Sequence, residues 1–328
     1  MVSVSDSVSR RKFLVRASAV AATVGVVPTF DGGSIAASAE TSVKRKFTLD
    51  LQCGSIGVAA DQRRAMALAG KFGFESLTPV AGYLAELSDS QRAELLAELK
   101  EKELVWGAAG LSVDFRSDET AFRDGLKRLP AEARALQQTG ATRVGTWLRP
   151  FHDSLTYVQN FRQHATRLRE CCRILGDHGL RFGMEYVGPR TLWASTRHSF
   201  IHSMAETKDL IAEIGLDNVG FVLDSWHWYT AHETADDLKT LSNKDIVACD
   251  LNDAPGGIAV DEQIDSRREL PAATGVIDLK TFLTTLAEIG YDGPVRAEPF
   301  NAALNAMDDD AAVEATATAM KKAFAVVG

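Results

Sequence analysis

The chain has 328 residues, a formal net charge of −8 and a hydrophobic fraction of 45%. A balance this acidic makes nucleic acid and anionic membrane surfaces poor partners. The four cysteines, Cys53, Cys171, Cys172 and Cys249, show neither zinc-type spacing nor the pattern of a disulfide framework.

The first element reads as an export leader. Ser9-Arg10-Arg11-Lys12-Phe13-Leu14 is a twin-arginine pattern, followed by an apolar stretch from Ala17 to Val27 and by the small-residue cleavage form Ala37-Ser38-Ala39. The 11 apolar residues fall short of the roughly twenty a bilayer span needs, which disfavours a membrane anchor. Residues 1–39 are therefore expected to be a twin-arginine signal peptide of a bacterial protein exported already folded. Residues 40–328 form the mature domain, periplasmic or secreted, with no stable membrane anchor after cleavage. Cleavage removes four basic and two acidic residues and takes the net charge from −8 to −10.

From Lys46 onward, short apolar runs alternate with longer amphipathic segments. The spacing predicts strands over Phe47 to Gln52, Phe74 to Pro79, Leu104 to Ala109, Thr142 to Leu148, Arg181 to Tyr186, Val219 to Leu223, Ile246 to Leu251 and Val295 to Glu298. Between them lie helical patterns such as Ser90 to Glu103, and Leu155 to Gly176 with Ser154 or Asp153 as cap. Eight strand–helix units imply parallel pairing with right-handed crossovers, hence α/β class and a (β/α)₈ TIM barrel in one domain. An open doubly wound sheet is the alternative, but Cys53-Gly54-Ser55-Ile56-Gly57 lacks the third glycine of the dinucleotide fingerprint. The longest non-periodic connection, Asp253 to Val276, follows the seventh strand on the face where a barrel's site forms.

Four neighbouring strands end in carboxylates: Glu185 on the fifth, Asp224 on the sixth, Asp250 on the seventh and Glu298 on the eighth. In a closed barrel they converge at the mouth, where their repulsion calls for shifted pKa values or a bound cation. An all-oxygen set favours a hard divalent ion, Mn²⁺ or Mg²⁺, over zinc. Any one acidic residue after a strand is more often a helix cap; four in succession reverse that reading. Asp253, before Ala-Pro-Gly, reads equally as a turn former. His227, three residues after Asp224 and between Trp226 and Trp228, reads as an orienting or substrate-facing group, while His198 and His202 read as solvated surface. Trp147 and Arg149, at the fourth strand end, wall the pocket or close the barrel rim.

With these residues in view, the chain resembles the xylose isomerase-like TIM barrel family, which includes sugar phosphate isomerases, tagatose 3-epimerase-type enzymes and inosose dehydratase. The motifs are Glu185 in Gly183-Met184-Glu185-Tyr186, Asp224 with His227, Asn252-Asp253-Ala254-Pro255, Arg268-Glu269-Leu270-Pro271 and Arg296-Ala297-Glu298. The resemblance implies one divalent metal ion on Glu185, Asp224, a seventh-strand residue and Glu298. It also implies substrate contact or support from His227, Arg268, Trp226, Asn252 and Asp253. The departure is Asp250, standing where the family usually has histidine. The implied reaction is proton abstraction next to a carbonyl through a metal-stabilised enediolate, with Glu185 and Glu298 as the two acid–base groups on a small unphosphorylated carbohydrate. Isomerisation, epimerisation and dehydration share that first step, and a homo-oligomer is compatible with it. The rival readings are a non-catalytic carbohydrate-binding barrel with a degenerate metal site and a nuclease of the endonuclease IV type. The second is disfavoured by the acidic balance and by only seven histidines.

Overall fold

A computed structural model of the protein describes residues 44–327. The leader assigned to residues 1–39 lies outside the described residues, and among those described no helix is long and apolar enough to cross a membrane. All eight expected strands form: β1 (Thr48–Leu51), β2 (Ser76–Leu77), β3 in two pieces (Val105–Trp106 and Ala108–Gly110), β4 (Arg143–Trp147), β5 (Arg181–Glu185), β6 (Val219–Asp224), β7 (Ile246–Leu251) and β8 (Pro294–Ala297). β2 is shorter than the apolar run Phe74 to Pro79 because only Ser76 and Leu77 find partners on both neighbours. β6 and β7 are buried along their whole length, as the near-continuous apolar runs require of strands covered on both faces.

Every pairing in the main sheet is parallel, and the hydrogen-bonded order places β1 beside β8. The two ends of the ladder are the two pieces of β3, so the chain itself closes the (β/α)₈ barrel at Gly107. The break has a local cause. A Cβ at Gly107 would overlap the Asp50 carboxylate, so only glycine lets β3 pass this point of the barrel interior.

Helix starts follow local chemistry more than apolar period. The third helix of the series, Asp89–Glu101, is capped by Ser88, whose side chain accepts from the Gln91 N–H. The helix Tyr157–Asp177 begins later than expected. Its cap is Thr156, whose N–H donates to Gln159 Oε1 at 3.0 Å, and neither Ser154 nor Asp153 takes that place. His152 Nδ1 instead accepts from the N–H groups of Ser154 and Leu155 at 3.1 and 2.9 Å, which keeps this stretch as a turn.

One register level crosses the sheet with an unusual composition. Asp224 pairs with Asp250, Asp250 with Arg296, Arg296 with Asp50 and Asp50 with Ser76. Residues in register on parallel neighbours point to the same face, so this polar level faces the barrel interior, where apolar side chains normally stack. Asp50 is 1% exposed and neither of its oxygens has a hydrogen-bond partner. Burial pushes its carboxyl up to about 6.

Gly107→Ala is expected to cost about 1–3 kcal/mol, the usual range for forcing atoms into a packed interior. Thermal melts check this, and combining it with Asp50→Ala should recover part of the loss, because the overlapping atoms are those of the carboxylate.

Candidate active site

The four strand-end carboxylates do converge. Oxygens of Glu185, Asp250 and Glu298 lie within 4.8 Å of one another, and so do ligand atoms of Glu185, Asp224 and His227. Glu185, Glu298 and His227 line a cleft of about 370 Å³ at the carboxyl ends of the strands, while Asp224 and Asp250 are buried and do not line it. The volume is toward the small end of the ~300–1,000 Å³ usual for small-molecule sites. Trp147, Phe151, Leu192 and Phe300 form its apolar walls, and Arg149 lies at its rim. Trp226 and Trp228 do not line it. Both are buried in the packing behind the floor, since the helix Ser225–Thr230 starts directly from β6 and turns its tryptophans inward.

Asp224 serves two purposes at once. Its Oδ1 accepts from the Trp226 N–H at 2.7 Å, capping that short helix, and from Asn252 Nδ2 at 2.8 Å. Its Oδ2 receives Arg268 Nη1 at 2.7 Å. Asn252 reaches the other side too, accepting from the Glu298 N–H at 3.2 Å, and so sets the spacing between the ends of β6 and β8. Asp253, in contrast, is a loop anchor. Its carboxylate accepts from the N–H groups of Ala254, Thr274, Gly275 and Ile277, which pins the long connection back onto the barrel.

Arg268, carried by that connection, lies among the acids. Nη1 is 3.2 Å from Glu298 Oε2, Nη2 is 2.8 Å from Asp265 Oδ1, and the guanidinium lies between the rings of Trp226 and Phe300 at 5.4 and 4.5 Å. Phe300 takes a positive φ of 40° to reach this place. Burial alone would weaken the Arg268 charge, but Asp224, Asp265 and Glu298 outweigh it and hold the group protonated. Asp265 and Phe300 were not singled out from the sequence, because nothing in a polar loop or after a strand marks which side chain turns back.

His227 follows Asp224 by three residues, so one helical turn brings it over the same side. Its Nδ1 accepts from the Gly188 N–H at 3.2 Å, and a backbone N–H can only donate. The remaining ring hydrogen is then on Nε2, which faces Asp224 Oδ2 at 3.6 Å and Glu185 Oε1 at 4.0 Å. The 3.3 Å approach of Arg268 Nη2 to this nitrogen is then a close contact between two donors. This favours an orienting or substrate-facing imidazole. Burial, then Arg268, pushes its pKa down to about 3, so the ring is neutral. Gly188 must be glycine, since a Cβ would lie 2.6 Å from the His227 carbonyl oxygen.

Asp250 has a partner that the sequence reading passed over. Arg296 Nε and Nη2 meet its two oxygens at 2.5 and 3.0 Å, a two-pronged pair in which Asp250 is fully buried. The signal was present in the chain: Arg296 lies two residues before Glu298, hence on the same face of the strand. Glu185 stands apart from the others. It is 7% exposed, and its Oε1 has no hydrogen-bond partner. Burial, then Glu298 and Asp250, pushes its carboxyl well above the usual range; Glu298 and Asp224 are raised as well, chiefly by burial. In donor chemistry the set fits a divalent cation, with an unpartnered buried oxygen at its centre.

At the rim, His198 and His152 face each other in a small antiparallel pair. His202 is half-buried, stacked on Trp193 at 4.4 Å, so it is not the solvated surface residue its polar surroundings suggested.

The family profile described as xylose isomerase-like TIM barrel matches residues 66–323. The chain is 31% identical to a xylose isomerase domain protein from Alicyclobacillus acidocaldarius, with a TM-score of 0.74 over 85% of this chain and 98% of that one. A zinc-bound IolI protein shares the fold at a TM-score of 0.69 and 20% identity, over 86% and 98% of the two chains. Over 136 residues, 40% of this chain and 45% of the other protein, there is 31% identity to an inosose isomerase of Bacillus licheniformis. The chain thus spans less than half the length of that curated relative.

The buried acids give a pH dependence whose sign is set. Glu185, Asp224 and Glu298 are raised in the folded state, so they hold protons that the unfolded chain releases, and that contribution is lost as pH rises. His227 acts oppositely, but only below its ordinary value of 6.5. The melting temperature of chelator-treated protein should therefore fall steadily from pH 6.5 upward. Glu185→Gln should flatten that fall and stabilise the ion-free protein at alkaline pH by on the order of 1–3 kcal/mol, read by melts with and without added Mn²⁺.

Proposed function

The chain belongs to the xylose isomerase-like TIM barrel family, and from that premise we propose a carbohydrate isomerase or epimerase that moves a proton on the carbon next to a carbonyl. The observation that carries this is Glu185: a carboxylate on the cleft floor with one buried, unpartnered oxygen and a pKa raised by burial. A carboxyl with a free oxygen in that position is placed to exchange a proton with a bound substrate. Glu185 removes the proton and Glu298, across the floor and steadied by Arg268 at 3.2 Å, returns it. His227, with its hydrogen on Nε2, donates to a substrate oxygen near Glu185. The apolar walls, Trp147, Phe151 and Phe300, cover the sugar ring and exclude water.

Glu185, with Asp250 and Glu298 in one group and Asp224 in the other, would hold a divalent ion. Such an ion supplies Lewis-acid stabilisation of the oxyanion that develops as the proton leaves. The oxygen donors favour Mn²⁺ or Mg²⁺, while the zinc in the IolI structure keeps zinc among the ions to test. The match of part of the chain to inosose isomerases supports testing inososes beside keto sugars as substrates. Dehydration begins with the same proton removal, so a lyase is the neighbouring outcome. The twin-arginine leader supports export and an unphosphorylated substrate.

The test is solvent deuterium uptake on a panel of ketoses, 3-keto glycosides and inososes. Exchange at the carbon beside the carbonyl is expected with Mn²⁺ or Mg²⁺ added. Glu185→Gln should lower it by about 10²–10⁴, and Glu298→Gln should retain exchange better than net conversion. Ligand binding with no exchange in any arm would instead support the second reading, a carbohydrate-binding barrel whose metal site has decayed, which the Asp250–Arg296 pair favours.

A further inference from the structure

Four carboxylates converge at one end of the barrel, Glu185 and Glu298 lining the cleft and Asp224 and Asp250 buried, and they are not equivalent. Glu185 Oε1 is buried and unpartnered, and Glu298 and Asp224 each meet Arg268, a loop-borne side chain, through one oxygen. Asp250 alone has both oxygens taken by one guanidinium, that of Arg296, at 2.5 and 3.0 Å. The two residues are direct ladder partners on β7 and β8. Their backbones are fixed by the barrel, so the pair cannot separate by loop movement.

We propose that Arg296 is a positioning residue that sets the affinity of this site for a divalent cation. It holds Asp250 as a neutral pair and so withholds it from the ion, leaving Glu185 and Glu298, the two acids within ligand distance of it. The inference rests on the divalent-ion reading given above and adds a residue to it. Physically, Asp250 lies within ligand distance of Glu185 and Glu298, so a cation and Arg296 compete for the same two oxygens. A two-pronged, water-excluded guanidinium pair is a strong competitor. With Arg296 in place the floor carries one unit less negative charge toward the ion than its four acids suggest. Asp50, on the other side of Arg296 in the ladder, makes no hydrogen bond to it, so the guanidinium's contacts are with Asp250.

The experiment is calorimetric titration of Mn²⁺ into chelator-treated parent protein and three variants, with circular dichroism to verify folding. Arg296→Met frees Asp250 and should tighten Mn²⁺ binding by about tenfold or more, because a unit charge is removed from the vicinity of the ion. Asp250→Asn leaves Arg296 uncompensated and should weaken binding by a similar factor. The double variant, Asp250→Asn with Arg296→Met, replaces one neutral pair by another and should bind within a few-fold of the parent. Unchanged or weaker binding by folded Arg296→Met overturns the proposal, and so does loss of binding in the double variant, which would make Asp250 itself a ligand. If Arg296→Met does not fold, the double variant decides alone. A parent that binds Mn²⁺ but ignores Arg296→Met refutes only this inference. A parent and variants that bind no Mn²⁺, Mg²⁺ or Zn²⁺ refute the divalent-ion reading and this inference together.

Discussion

The organising constraint is the burial of several carboxylates at one end of a closed barrel. Parallel strands in register turn equivalent residues to the same side, so acids at the ends of β5 to β8 have nowhere to go but toward one another. Taking such groups out of water is costly unless each finds a counter-charge or gives up its ionisation. The protein uses both remedies. Arg268 and Arg296 supply two guanidiniums, and the carboxyls of Glu185, Asp224 and Glu298 are raised by burial and mutual repulsion. Among the strand-end acids, the buried oxygen left without a partner is Glu185 Oε1, on a residue that lines the cleft.

The two arginines differ in how they are carried, and that difference has chemical weight. Arg268 comes from the long connection after β7, pinned at its root by Asp253 and packed between Trp226 and Phe300. Its guanidinium lines the cleft and pairs there with Asp224, Asp265 and Glu298. Arg296 comes from a barrel strand and faces its partner through the ladder, so its contact with Asp250 belongs to the scaffold. A loop-borne cation suits contact with substrate, whereas a strand-borne one suits fixing the charge of the floor.

Several readings changed role when the chain was seen folded. Asp253 turned out to be a structural anchor, because four backbone N–H groups of its own loop converge on it. Trp226, expected to contact or support substrate, instead packs against Arg268 away from the cleft lining. The formal charge of −2 implied by four carboxylates with a divalent ion becomes −1 when the Arg296 partner of Asp250 is counted. The substitution at the seventh strand and its compensation thus lie on adjacent strands, 46 residues apart in sequence.

The sequence by itself determined the barrel and the acids at its mouth. Eight apolar runs at regular spacing are a local, periodic signal, and each strand-end carboxylate is visible as an abrupt change of polarity after such a run. Asp224 and His227 were legible for the same reason, being one helical turn apart. Only the tertiary structure decided which acids are free, which are paired and which merely hold a loop. Those outcomes depend on contacts between residues far apart in the chain: Arg296 with Asp250, Arg268 with Asp224, and Gly107 with Asp50. Spacing along a chain carries strand and helix period, but the register between strands, which brings a guanidinium to one acid and leaves Glu185 bare, exists only once the barrel has closed.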